Sequence, residues 1–169
     1  MPVSIALAVL GAYLLGSVPF ALLISRVFFR IDIREHGSGN VGATNVVRVL
    51  GKGPGIACFV LDFLKGAVPV WVGSTLGFPW WGLLLLGVAS ILGHSKSVFL
   101  RFTGGKSVAT GAGVVVALSP WVGLAALAVW AVVFAVSRIV SLGSIVAAAS
   151  LPLWMVVFHQ PVPYVGFAA

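Results

Sequence analysis

Two short stretches concentrate the residues that could hold phosphate. The first is Gly37-Ser38-Gly39-Asn40-Val41-Gly42-Ala43-Thr44-Asn45, with Arg48 three residues on. Closely spaced glycines allow backbone conformations that turn successive N–H groups towards one point, an anion-binding nest. Ser38, Asn40, Thr44 and Asn45 add neutral donors. If Thr44 or Asn45 caps a helix, Arg48 lies about one turn inside it, over the same point. The bland alternative is a flexible loop with a solvated arginine. The second stretch is Gly104-Gly105-Lys106-Ser107-Val108-Ala109-Thr110. Gly105-Lys106-Ser107 has the ending of a nucleotide P-loop, but the first glycine of that motif would fall at Leu100, so the spacing rejects it. The mechanics can still be shared: close approach at glycine, a compact lysine charge and free N–H groups at a helix start. Against this stands a Lys106 that merely marks a membrane boundary.

Other candidates are sparse. Asp62 and Lys65 stand at i,i+3 within an apolar run, where intramembrane charges are paired or functional. Ser141 and Ser144 fall at the start of an apolar segment, as helix caps or pocket residues. His94 follows Gly93 at a helix end, a place for capping carbonyls rather than for a metal. Cys58 lies in an apolar run and reads as a packing residue. No His, Cys and carboxylate set has zinc spacing, and no Ser-His-Asp or Cys-His set offers a nucleophile.

What must position these residues is a membrane bundle. The chain has 169 residues, 60% hydrophobic and 8% charged, with a mean hydropathy of +1.17. Soluble domains carry about 25% charged residues, so lipid must be the solvent for most of this exterior. Apolar segments run from Val3 to Phe29, Gly53 to Val72, Trp80 to Leu92, Val108 to Ser119, Trp121 to Val136 and Ser144 to Phe158. The fourth would rise only about 18 Å as a helix, so Gly104 to Ser107 is expected to dip below the interface and line a polar cavity. Trp80, Trp81 and Trp121 fall near predicted interfaces. The reading is all-α: a single polytopic transmembrane domain over 1–169, six spans, the N-terminus outside. A seventh apolar stretch starts after His159 and stops, which predicts a missing last helix and tail. The polar connections carry the Lys and Arg residues on one side, cytoplasmic by the positive-inside rule. The net charge of +7 suits anionic lipid or phosphate better than nucleic acid, for which no basic run with interleaved aromatics exists.

Together these segments resemble a known family. GSGNVGATNVVRVLG from Gly37, DFLKG from Asp62, LGHSKSVFLRFTGGKSVATGAG from Leu92 and VSLGS from Val140 are similar, in order and spacing, to the bacterial acyl-phosphate:glycerol-3-phosphate acyltransferases. The resemblance covers almost the whole chain. It implies a seven-span enzyme of the bacterial plasma (inner) membrane with a cytoplasmic site. The implied reaction moves a fatty acyl group from acyl phosphate to glycerol 3-phosphate, the first step of phospholipid synthesis, without a cofactor or metal. By resemblance Ser38, Arg48, Lys106 and Ser144 bind the substrates' phosphates and support transfer, Ser38, Arg48 and Lys106 being the catalytic set. Gly37, Gly39, Asn40, Thr44, Asn45, Gly104, Gly105 and Ser107 belong to the same motifs. The family pattern has Pro, Lys and Gly where this chain has Ser97, Thr103 and Ser107. Its third motif, a basic segment with His and Asn after the seventh span, has no counterpart here. An activated anhydride donor needs no protein nucleophile, which favours direct attack by the glycerol hydroxyl over an acyl-Ser38 served by His36. A transporter or scramblase for a phosphorylated metabolite is the alternative, disfavoured by the lack of internal repeats. An anionic-lipid-binding subunit comes third.

Overall fold

The computed structural model describes residues 2–168, with side chains described over 5–166. Among these residues it is all-helical, with no strand beyond one isolated bridge between Ser97 and Thr103. The helices are α1 (Pro2–Ser17), α2 (Phe20–Phe29), α3 (Ala43–Leu50), α4 (Lys52–Thr75), α5 (Trp80–Ser95), α6 (Val108–Leu118), α7 (Pro120–Ser137), α8 (Val140–Val157) and α9 (Val162–Ala168). Short 3-10 turns lie at Ile33–Glu35 and Val98–Leu100. Among the described residues, three helices (α4, α7 and α8) are long and apolar enough to cross a membrane, or four spans if the bent pair α1 and α2 makes one. Helices α5 and α6 are apolar but shorter, at 16 and 11 residues.

Chain contacts define two compact units, Met1–Val114 and Val115–Ala169. In the first, the expected opening span is broken. Proline lacks an N–H and drives its predecessor from helical geometry, and at Val18-Pro19 the axis bends by 42°. The carbonyls freed there are held by distant side chains. Ser97 Oγ donates to Ser17 O at 2.6 Å and Lys65 Nζ to Val18 O at 2.8 Å. Small residues let the helices touch backbone to backbone, as membrane packing favours. A Cβ on Gly16 would run into Ser90 of α5, and one on Gly93 into the carbonyl of Tyr13 in α1. Between α4 and α6, side chains on Gly66 and Gly113 would strike Thr110 O and Phe63 O.

The expected polar loop from Arg30 to Lys52 contains a helix. Alternating burial along α3, with Asn45 and Val46 inside and Thr44, Val47 and Arg48 outside, makes it amphipathic. An apolar cluster gathers Ala21, Leu22 and Ile24 of α2, Ile33, Val41 and Val46 around α3, Cys58 of α4 and Leu100. Thus the 3-10 turn just before Gly104 shares a core with the first glycine-rich loop.

The second unit packs α7 against α8. Trp130 stacks on Phe134 with ring centroids 5.1 Å apart, and Gly143 fits against Trp130. Only 11% of each helix's most apolar stretch is buried, leaving the rest for lipid.

Candidate functional site

The first loop owes its shape to Asn45. Its Oδ1 accepts from the Ser38 N–H at 2.9 Å, and its Nδ2 donates to His36 O at 3.0 Å and Ile33 O at 3.2 Å. With the amide fully engaged and 2% exposed, Asn45 shapes the loop and is not a free donor, contrary to the expectation. Gly37 takes φ +61°, and a side chain there would collide with Asn45 Oδ1, so only glycine fits. The Gly39 N–H is also used, on His36 O at 3.0 Å. Of the N–H groups in the stretch expected to form a nest, those of Ser38 and Gly39 are satisfied inside the loop.

Free donors lie further on. Gly42, not Thr44 or Asn45, caps α3, and it brings no side-chain hydrogen bond. Among the described residues the Ala43 and Thr44 N–H groups, at the helix start, have no partner. Such N–H groups and the helix dipole favour an anion. Ser38, Thr44 and Arg48 are exposed, Arg48 in the last turn of α3. Asn40 keeps its Oδ1 buried without a hydrogen-bond partner, an acceptor left over for a hydroxyl.

Of the two acids before the loop, Asp32 is paired. Asp32 Oδ2 lies 2.5 Å from Arg26 and 2.6 Å from Arg34, whose Nε adds a bond to Oδ1 at 2.9 Å. The Arg34 guanidinium foremost, with Arg26 assisting, holds this carboxyl far below the usual carboxylate range. The same bonds push the Arg34 guanidinium up. Among the described residues neither Arg48 nor Lys106 enters an ion pair. Their charges are available to an incoming anion.

The second loop is pinned at both ends. Gly105 N–H donates to His94 O at 3.2 Å, and Ser107 Oγ to Ile91 O at 3.1 Å. Ser107 stands at the start of α6, where its carbonyl accepts from Gly111 N–H at 2.7 Å, and its hydroxyl reaches back to α5. It does so at φ +57°, left-handed geometry that glycine adopts at less cost. Gly104 and Lys106 are exposed.

Behind this loop Lys65 Nζ lies 2.7 Å from Asp62 Oδ1, both side chains 2% exposed, as the i,i+3 spacing suggests. His94 is not a simple end-cap: its ring is buried, with Nδ1 3.3 Å from Thr110 Oγ1 and 3.6 Å from Asp62 Oδ1. Ser144 lies one turn inside α8, not at its start, and its hydroxyl donates to Val140 O at 3.0 Å. It belongs to the second unit.

A family model described as Glycerol-3-phosphate acyltransferase matches residues 6–169. The glycerol-3-phosphate acyltransferase of Synechococcus sp. (strain JA-3-3Ab) is 46% identical over 165 residues, 98% of this chain and 81% of that protein. The one from Nostoc sp. (strain PCC 7120 / SAG 25.82 / UTEX 2576) is 49% identical over 177 residues, 94% and 78% of the two chains. The chain belongs to the glycerol-3-phosphate acyltransferase family. Two solved structures of PlsY (YgiH), an integral membrane glycerol 3-phosphate acyltransferase, share the fold. Its glycerol 3-phosphate form aligns with a TM-score of 0.92 at 46% identity, covering 98% of this chain and 82% of that one. Its lysophosphatidic acid form aligns at 0.89 and 45%, with the same coverage. The family membership and the apolar helices make this a multi-pass membrane protein.

Sequence reasoning missed Ser97, Thr110 and the inward role of His94. Their signal is weak in one dimension, since each acts through a partner at least 16 residues away. For Ser97 alone there was a hint, the hydroxyl standing where the family pattern has proline.

Proposed function

We propose that this chain transfers a fatty acyl group from acyl phosphate to the 1-hydroxyl of glycerol 3-phosphate, giving lysophosphatidic acid and phosphate. The observation that carries the proposal is the pairing of two unneutralised cations, Arg48 and Lys106, with two glycine-shaped loops whose flanking turns share one apolar cluster. Both substrates are phosphate anions, and bringing them together demands such cations. Arg48 offers a planar fork for two phosphate oxygens, and Lys106 a compact charge. The free N–H groups at the start of α3 add uncharged donors. The orphaned Asn40 Oδ1 suits a glycerol hydroxyl.

The transfer proceeds by direct attack. The glycerol oxygen forms a bond to the acyl carbonyl carbon, the carbon–oxygen bond to phosphate breaks, and phosphate leaves. The hydroxyl proton passes to a phosphate oxygen of the substrate, and positioned donors stabilise the transient oxyanion. Ser38 acts as a hydrogen-bond donor. Among the described residues no hydrogen bond joins its hydroxyl to His36, whose Nδ1 donates to Asp32 O at 2.9 Å. The site faces the cytoplasm across the inner membrane of a bacterium, where the basic connections lie.

The test is direct. Purified protein in detergent or lipid, given acyl phosphate and glycerol 3-phosphate, should form lysophosphatidic acid and phosphate in equal amounts. Acyl coenzyme A should not replace the donor. Binding or flux of glycerol 3-phosphate without product would instead favour a transporter.

A further inference from the structure

The buried polar groups behind the second loop remain unused by the transfer itself. His94 touches that loop twice. Its carbonyl accepts the Gly105 N–H at 3.2 Å, and its ring Nε2 occupies the volume where a side chain on Gly105 would begin. Gly104 likewise lies against the His94 carbonyl, with no room for a Cβ. The other face of the ring meets Thr110 Oγ1 at 3.3 Å and Asp62 Oδ1 at 3.6 Å. Asp62 is anchored in turn by the Lys65 ammonium, 2.7 Å away, which donates onward to Val18 O.

We propose that His94, oriented by Asp62 and Thr110, is a positioning residue that fixes the Gly104–Gly105 backbone and so aims Lys106 at the substrate phosphate. The proposal rests on Lys106 being a phosphate ligand, as argued above. Three features support it. The side chain is 6% exposed, so it is walled off from solvent and works through the loop. A planar side chain with a nitrogen at each edge spans from Asp62 to Gly105; an aliphatic one would abandon Asp62 Oδ1, which already lacks a well-aligned hydrogen bond. The loop also carries conformational load, because Ser107 leaves it at φ +57°. A strained segment keeps its shape only where its surroundings over-determine it. His94 and Ile91, both on α5, supply that restraint.

A double-mutant cycle on the full chain tests this, with kcat/KM and thermal unfolding measured for each variant. His94→Ala should lower kcat/KM by about tenfold or more, and the same change in a Lys106→Ala background by less than about twofold, since the two act as one unit. His94→Asn keeps a polar group near Asp62 but is too short to reach Gly105. It should melt close to the parent yet lose activity as the alanine does, and it carries the cycle if His94→Ala does not fold. Gly105→Ala should be no worse in the His94→Ala background than His94→Ala alone, because the collision with Nε2 is gone. Multiplicative losses, or a fully active His94→Asn, overturn the positioning role while leaving the Lys106 site standing. Near-normal turnover of Lys106→Ala overturns both.

Discussion

Replacing Lys65 by methionine separates the structural work of the buried charges from catalysis. Lys65 and Asp62 are both 2% exposed and 2.7 Å apart, so neither charge has water to turn to. Removing one partner of such a pair costs about 3–5 kcal/mol because the other is left buried and uncompensated. The Val18 carbonyl loses its 2.8 Å donor as well, but it still accepts from Phe20 N–H at 3.1 Å, so this adds only about 1 kcal/mol. His94, 3.6 Å from Asp62, and the Cys58 thiol, 3.6 Å from its other oxygen, soften the loss. The expected total is about 4 kcal/mol. In the double variant Asp62→Asn/Lys65→Met no charge is stranded, and the cost should fall to about 1–2 kcal/mol. The measurement is unfolding in mixed micelles of rising SDS fraction, followed by tryptophan fluorescence. If Lys65→Met costs less than 1 kcal/mol, or the double variant equals the sum of the singles, the pair is not the coupled buried unit described.

The remaining expectations are shorter. Arg48→Ala and Lys106→Ala should each lose at least about 2 kcal/mol of transition-state stabilisation, roughly thirtyfold in kcat/KM, and Arg48→Lys should recover only part, because the planar fork is lost. Gly93→Leu should fail to accumulate as folded protein, since its side chain would enter α1, whereas Gly11→Ala, with open space around it, should stabilise by about 0.5–1 kcal/mol. Asp32 has its folded pKa depressed below the ordinary 3.8, so its contribution is fully present above that value and is lost as pH falls through the folded pKa. Asp32→Asn should therefore remove stability at pH 7, at most about 1 kcal/mol given its half-exposed cations, and flatten the acid side of the melting-temperature profile. Labelled acyl phosphate alone should leave no hydroxylamine-sensitive label on the protein, and initial-rate patterns should intersect; parallel lines with a labelled Ser38 would establish an acyl-enzyme.

Much of the fold is legible one-dimensionally because lipid imposes simple rules. Pro79 and Pro120 mark the starts of α5 and α7, and the charged connections separate the apolar runs. One feature escapes this reading. The break at Val18-Pro19 looks like an uninterrupted apolar run, because the hydroxyl and ammonium that replace its lost hydrogen bonds come from residues 97 and 65. Helix α3, which the glycine-rich stretch offers on condition of a cap, is held by Val46, Val49 and Leu50, which fall on one face and join the apolar cluster. Their i, i+3, i+4 spacing is helical.

At the site, residue type reveals which groups are polar but not which way they face. Asn45 and Asn40 look equivalent in the motif, yet the first is consumed by Ser38, Ile33 and His36 while the second retains an orphan acceptor. Arg34 and Arg48 look equally cationic, yet Asp32 neutralises one and leaves the other. With few acids in the chain, most cations stay without an ion pair among the described residues, Arg48 and Lys106 among them. Asp32 lies between Arg26 and Arg34, one negative charge shared by two positive ones, and Asp62 pairs with Lys65 inside the bundle. Among the described residues Arg48, in the last turn of α3, and Lys106, on the second loop, remain unpaired, and the glycine-rich turns beside them are fixed from behind, by Asn45 and by His94. Buried polar groups thus set the backbone, and exposed cations on that backbone meet the phosphate. Such a division of labour suits a reaction in which the substrates bring their own leaving group and proton acceptor. What the protein must supply is fixed charge in fixed places.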